Sequence, residues 1–95
     1  MRVTFDPLKR ARTIADRGLD FADAEVVFAG PHLRIEDRRR YHGETRWICV
    51  GRLNGRMVVI GDVERAGGRH VFSMRTANDR EQRRFADRRR EAGRP

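Results

Sequence analysis

Two residues, Asn54 and Gly55, constrain this chain more than any others. They separate the run G-E-T-R-W-I-C-V-G-R-L (residues 43–53) from R-M-V-V-I-G-D-V-E-R (residues 56–65). Both tolerate the positive φ angles of a type I′ turn, so the two runs are predicted to pair as an antiparallel hairpin. The turn also sets the register. With Leu53 beside Arg56, Val50 falls opposite Val59, Ile48 opposite Gly61 and Arg46 opposite Val63 on one face. On the other face Cys49 meets Ile60 and Trp47 meets Asp62. Both faces are apolar at the centre with arginines toward the strand ends, which places the hairpin mid-sheet, covered on one side and only partly on the other. A half-covered sheet rimmed with arginine offers a floor for an anionic ligand.

The rest of the chain is arranged around that hairpin. Val3–Phe5 form a short edge strand. Asp6 caps a first helix with Pro7 at its first position, where a missing N–H does no harm. Leu8, Ala11, Ile14 and Ala15 recur at helical spacing as its apolar face, Lys9, Arg10, Arg12, Asp16 and Arg17 are left in water, and Gly18 ends it. Asp20 caps a second helix over F-A-D-A-E-V-V-F, with Phe21, Ala24 and Phe28 on one side and Gly30-Pro31 as its stop. His32–Glu36 alternates as a strand, followed by a loop, Asp37–Gly43, whose three arginines and tyrosine are read either as solvated or as a grip on a nucleic-acid strand. After Ala66-Gly67-Gly68 comes the last strand, R-H-V-F-S-M-R, with Phe72 and Met74 expected in the core and Ser73 and Arg75 on the opposite face. Thr76 or Asn78 then caps a closing helix in which Glu81 reaches back as in a capping box and Phe85 is the single large apolar anchor. The expected architecture is one α+β domain over residues 1–95: two N-terminal helices on a small, mostly antiparallel sheet of about four strands, with a C-terminal helix and a frayed tail at 92–95.

With 95 residues the chain has room for one modest core. Lysine plus arginine number 22 against 14 acids, a net charge of +8, and only Lys9 is a lysine. Such a surplus attracts polyanions, and the planar guanidinium suits phosphate. A preference for arginine over lysine can follow from base composition alone, so the net charge carries the argument. The lone cysteine, Cys49, falls in a core strand and reads as a small hydrophobe, which leaves no disulfide framework or cysteine metal site. Histidines at 32, 42 and 70 lack metal-ligand spacing, so no metal or cofactor is expected. The chain does not begin with a signal peptide and contains no apolar run long enough to cross a bilayer, which predicts a cytoplasmic protein.

Four ordered segments carry a resemblance: F-D-P-x-K-R, R-G-L-D-F-A-D-A-x-x-V-F, G-E-x-R-W-x-x-x-G-R-L-x-G-R and S-M-R-T-A-x-x-x-E-x-R-R-F. Together they resemble the BrnT family, the toxins of a type II toxin–antitoxin system. The resemblance implies a RelE-like fold and metal-independent cleavage of RNA. It also implies a BrnA-like ribbon-helix-helix antitoxin that neutralises the toxin, and contact with operator DNA only through the toxin–antitoxin complex. Two departures stand out. Asp16-Arg17 replaces a Lys-His pair common after the first helix, and Phe85 stands where a tyrosine is common.

Matching the family motif places Arg75, Glu81, Arg83 and Arg84 at the strand-to-helix junction as the catalytic group. Helix N–H groups aimed at an anion agree with that placement. Arg46, Arg65, Arg69 and Arg80 are the expected RNA-binding residues. Metal-free cleavage needs a group to take the 2′-hydroxyl proton, cations for the charge on phosphorus, and help for the leaving 5′-oxygen. Arginine supplies only the second, so the base is sought among Glu64, Glu81, His32, His42 and His70. Glu81 reads equally as a capping carboxylate, Arg83 and Arg84 as a solvated face balanced by Asp79 and Asp87, and His70 as packing against Phe72 or Trp47. The alternative function is a catalytically weak or inactive basic module that binds nucleic acid or an antitoxin as a corepressor.

Overall fold

The computed structural model describes residues 2–39 and 43–92. Strand β1 (Arg2–Phe5) leads into α1 (Pro7–Arg17), a 3₁₀ turn (Phe21–Asp23), α2 (Ala24–Ala29) and β2 (His32–Asp37). Then come β3 (Arg46–Leu53), β4 (Arg56–Arg65), β5 (Gly68–Thr76) and α3 (Asp79–Ala92). The strands form one five-stranded sheet in the order β1-β5-β4-β3-β2. All neighbours are antiparallel except β1, which runs parallel to β5. The class is α+β as expected, but the sheet has five strands and is mixed, and the second N-terminal helix is divided into a 3₁₀ turn and a six-residue α2. Residues 40–42, with Tyr41 and His42, and the tail 93–95 lie outside the described residues.

The hairpin register is the predicted one from Arg46↔Val63 to Leu53↔Arg56. Asn54 (φ 50°) and Gly55 (φ 80°) supply the left-handed pair that a type I′ turn needs. The next turn repeats the device with Ala66 (φ 46°) and Gly67 (φ 77°).

The main core lies on the face of the sheet under the 3₁₀ turn and α2. There Phe21, Val27, Cys49, Val58, Ile60, Val71 and Met74 are almost wholly buried. A smaller cluster, Val50, Met57, Val59, Ala77 and Phe85, holds α3 on the other face, flanked by Leu33 and Ile48. The sheet is thus closed on one side and partly open on the other.

Two expectations about side-chain direction fail. Val71 and Met74 share the main core, whereas Phe72 is only half-buried, because a bulge at Gly61/Asp62 leaves Phe72 as the extra residue of β5. Gly61 has no Cβ to collide with; one built there would stand 2.5 Å from Ser73 Oγ and 2.7 Å from Phe72 Cζ. His70 accordingly lies away from the core and from Trp47, with Nδ1 3.0 Å from Thr4 Oγ1. The second failure is α1, which has no buried residue. Its predicted apolar face points outward, and Arg10 and Arg17 turn inward in its place: Arg10 forks onto Asp20 at 2.7 and 2.9 Å, and Arg17 Nη1 donates to the Met74 carbonyl at 2.8 Å.

Asp62, opposite Trp47, is fully buried. Arg34 Nη2 donates to it at 2.7 Å while its guanidinium lies 4.3 Å from the Trp47 ring, and Cys49 Sγ stands 3.6 Å from the second carboxylate oxygen. Burial raises the Asp62 pKa against the pull of Arg34, and it pushes the Cys49 thiol up to about 12. Cys49 is therefore an inert packing residue.

Candidate functional site

The last strand ends at Thr76 and α3 begins three residues later, so the end of β5 and the first turn of α3 face each other. Asn78 caps the helix reciprocally: Glu81 N–H donates to Asn78 Oδ1 at 2.8 Å, and Asn78 N–H donates to Glu81 Oε1 at 2.9 Å. The same carboxylate receives Arg75, whose Nη1 and Nη2 donate to Oε1 and Oε2, both at 2.7 Å. The capping box thus also aims a guanidinium. Bidentate geometry of this kind fixes both groups more firmly than a single contact does.

Charge follows from that geometry. The Arg75 hydrogen bonds, helped by the Asn78 N–H, hold the Glu81 pKa down at about 2, and Glu81 in turn raises that of Arg75. Glu81 is ionised at neutral pH with both oxygens engaged, so it orients Arg75 and is a poor proton acceptor. Glu81 thus fills the capping place expected of it and holds Arg75 as well.

Beside the fork, Leu33, Ile48, Val50 and Phe85 floor a groove of about 160 Å³ between α3 and the sheet, with Glu81, Arg84 and Arg88 on its helix side. Arg84 shares this groove with Glu81, but Arg83 does not. Arg83 lies on the opposite flank of α3 with Arg52, Met57 and Arg89. Arg83 and Arg84 therefore line different grooves, one on each flank of α3. Their expected neutralisation does not occur either: Asp87 pairs with Arg90, and neither Arg83 nor Arg84 has an ion-pair partner among the described residues. Arg80 is exposed on the first turn. Arg88 was legible as a groove residue from its four-residue spacing to Arg84; Leu33 and Ile35 were not, because nothing local to them predicts where α3 lands.

The remaining arginines stand elsewhere. Arg69 and Arg75 are six residues apart on β5, about 20 Å at the usual strand rise. Arg69 lies against the Phe28 ring at 4.5 Å, on the main-core face, and its buried Nη1 has no hydrogen-bond partner. Arg65 pairs with Glu44 at 2.8 Å, and Arg46 covers the Phe72 ring at 4.6 Å on the open face. None of the three meets the Arg75 fork. Glu64 is exposed at that same far end, 3.6 Å from Arg34. Burial and nearby Arg65 lower the His70 pKa, which keeps its ring neutral at pH 7, but it too is remote from Arg75. His32 is held by the Gly30 carbonyl at 2.9 Å.

The molecule is thus a basic α+β domain in which the Arg75–Glu81 fork stands beside an apolar groove edged by Arg84 and Arg88. The chain belongs to the BrnT family, described as "Ribonuclease toxin, BrnT, of type II toxin-antitoxin system", whose sequence model matches residues 5–81. The match includes the Arg75–Glu81 fork and stops short of Arg83, Arg84 and Arg88. No curated protein matches the chain. Among the described residues no helix is long and apolar enough to cross a membrane.

Proposed function

We propose that the protein is a metal-independent RNA endonuclease that acts in the cytoplasm and arrests growth by cleaving RNA. In this reading a BrnA-like ribbon-helix-helix antitoxin neutralises it and carries it to operator DNA. Beyond family membership, the supporting observation is the Arg75–Glu81 fork, a guanidinium held in place before any substrate arrives, beside Arg84 at the mouth of the groove. The 2′-oxygen attacks the adjacent phosphorus and the bond to the 5′-oxygen breaks, and water protonates the departing oxygen, leaving a 2′,3′-cyclic phosphate and a 5′-hydroxyl. Arg75 and Arg84 stabilise the charge that builds on the phosphoryl oxygens. Glu81 keeps Arg75 in position, and the 2′-hydroxyl proton passes to solvent, since no described residue lining the groove is a neutral base. Among the described residues no group of three or more His, Cys, Asp and Glu is placed to hold a metal ion.

Arg80 and Arg83 are read as contacts to RNA approaching α3. Arg46 and Arg65 would hold a strand continuing over the open half of the sheet; Arg69, inserted against Phe28 on the other face, is left as a structural residue. The engaged Glu81 favours one alternative, a basic module that binds RNA or antitoxin without turnover. Purified chain incubated with RNA in EDTA separates the two. Cleavage that is lost in Arg75→Ala and Arg84→Ala supports the nuclease, whereas intact RNA with salt-sensitive binding supports the module.

A further inference from the structure

Helix α1 is amphipathic in the wrong direction. Arg10, Thr13 and Arg17, at i, i+3 and i+7, face the body of the protein, while Leu8 is 77 % exposed and Ala11 and Ala15 stand in solvent beside it. Ile14, 42 % exposed, lies on the flank of the same stripe. A helix on a globular surface ordinarily buries its apolar stripe. Single exposed leucines are common and mean little, but a whole helix turned over is a different observation.

Nothing about α1 itself is poorly made. Asp6 Oδ1 caps the Leu8 N–H at 2.8 Å, and Gly18 closes the other end in the left-handed conformation with its N–H 2.9 Å from the Ile14 carbonyl. The helix also has a reason to sit where it does. Strand β1 pairs with β5 only as far as Val71, and beyond that point Arg17 satisfies the Met74 carbonyl. Polar contacts therefore anchor α1 to the sheet and leave the apolar stripe outward.

Charge says what can cover it. Arg12 edges the stripe and Lys9 lies further round toward Phe72 and Ser73, neither with an ion-pair partner among the described residues, and Asp16 is the only acid on the helix. A second copy of this chain would set these cations against themselves, within a pair of molecules each carrying +8. RNA would meet the cations but gain nothing from leucine, isoleucine and alanine. An amphipathic helix with an apolar stripe edged by Asp and Glu satisfies both features. We propose that the outward stripe of α1, formed by Leu8, Ala11, Ile14 and Ala15, is the docking surface for an acid-edged amphipathic helix of the cognate antitoxin. This inference rests on the toxin–antitoxin reading.

The test titrates the chain with the antitoxin encoded beside it, using the parent, Leu8→Glu, Ala15→Glu and Arg12→Glu. Leu8→Glu and Ala15→Glu are each expected to weaken binding about 30-fold or more, the effect of losing an interface anchor. Arg12→Glu should slow association and flatten its salt dependence. None of these residues lines the groove under α3, so RNA cleavage and thermal stability of the free chain should match the parent. Parent-like affinity in all three variants overturns the docking surface while leaving the toxin reading intact. A parent that binds no adjoining gene product overturns both. A free parent that sediments as a dimer, dissolved by Leu8→Glu, overturns the proposal in favour of self-association.

Discussion

Phe85→Ala tests how the groove is held together. Phe85 is 5 % exposed and is the only large apolar side chain of α3 in the cluster with Val50, Met57, Val59 and Ala77. Truncating a buried phenylalanine costs about 3–5 kcal/mol. A 14-residue helix is marginal in water once undocked, so that loss exceeds what the capping box and the Arg75 fork can restore. The expected result is local: α3 releases and frays, and the main core under α2, which shares no residue with the Phe85 cluster, stays folded. Because α3 holds 14 helical residues against 11 in α1 and 6 in α2, the far-ultraviolet helical signal should fall by nearly half. Hydrogen exchange should show α3 amides unprotected beside intact β3–β5. Cleavage should fall as well, because Glu81 leaves with the helix and Arg75 loses its orientation. A full helical signal, or a loss of protection spread evenly over the sheet, would refute the reasoning.

Asp62→Ala should cost about 3–5 kcal/mol by removing the buried partner of Arg34, whose side chain is 15 % exposed and keeps only the exposed Glu64 at 3.6 Å; a melting temperature within a few degrees of the parent would contradict this. Asp20 and Glu81, both held down at about 2 by arginine, contribute stability that is complete above their ordinary values near 4. That stability disappears as pH falls from about 4 toward 2. The melting temperature should decline across that window, and an Asp20→Asn, Glu81→Gln variant should decline less. Ala66→Gly should stabilise by about 0.5 kcal/mol, since the left-handed conformation strains alanine and not glycine; denaturant melts resolve the sign.

The hairpin could be read residue by residue because Asn54-Gly55 determines both turn type and register, and nothing distant competes with it. Alternation failed on β5, where the bulge at Phe72 depends on Gly61 in the neighbouring strand and leaves no mark in the β5 sequence. Periodicity identified α1 but not its orientation: apolar spacing defines a stripe, while the inward side was decided by Arg10 meeting Asp20 and Arg17 meeting a bare carbonyl at the sheet edge. In the site, the capping role of Glu81 was legible because a capping box over four residues carries its own geometry, while Arg75 was placed at the same junction by the family motif and its fork onto Glu81 was not foreseen. Arg65 and Arg69 were expected to bind RNA from the hairpin's far edge, where strand rise sets them about 20 Å from Arg75. The folded-state pKa of Glu81 could not be read from its neighbours in sequence, since it depends on a hydrogen-bonding partner six residues away across the end of the strand.

Single-turnover cleavage of RNA in EDTA by Arg75→Ala, beside the parent and with folding verified by a melt, tests the central assignment most directly. The account predicts a loss of about a hundredfold or more in the variant, and a parent rate that rises with pH with no inflection between pH 4 and 6 from Glu81. A folded Arg75→Ala that cleaves at the parent rate would contradict it.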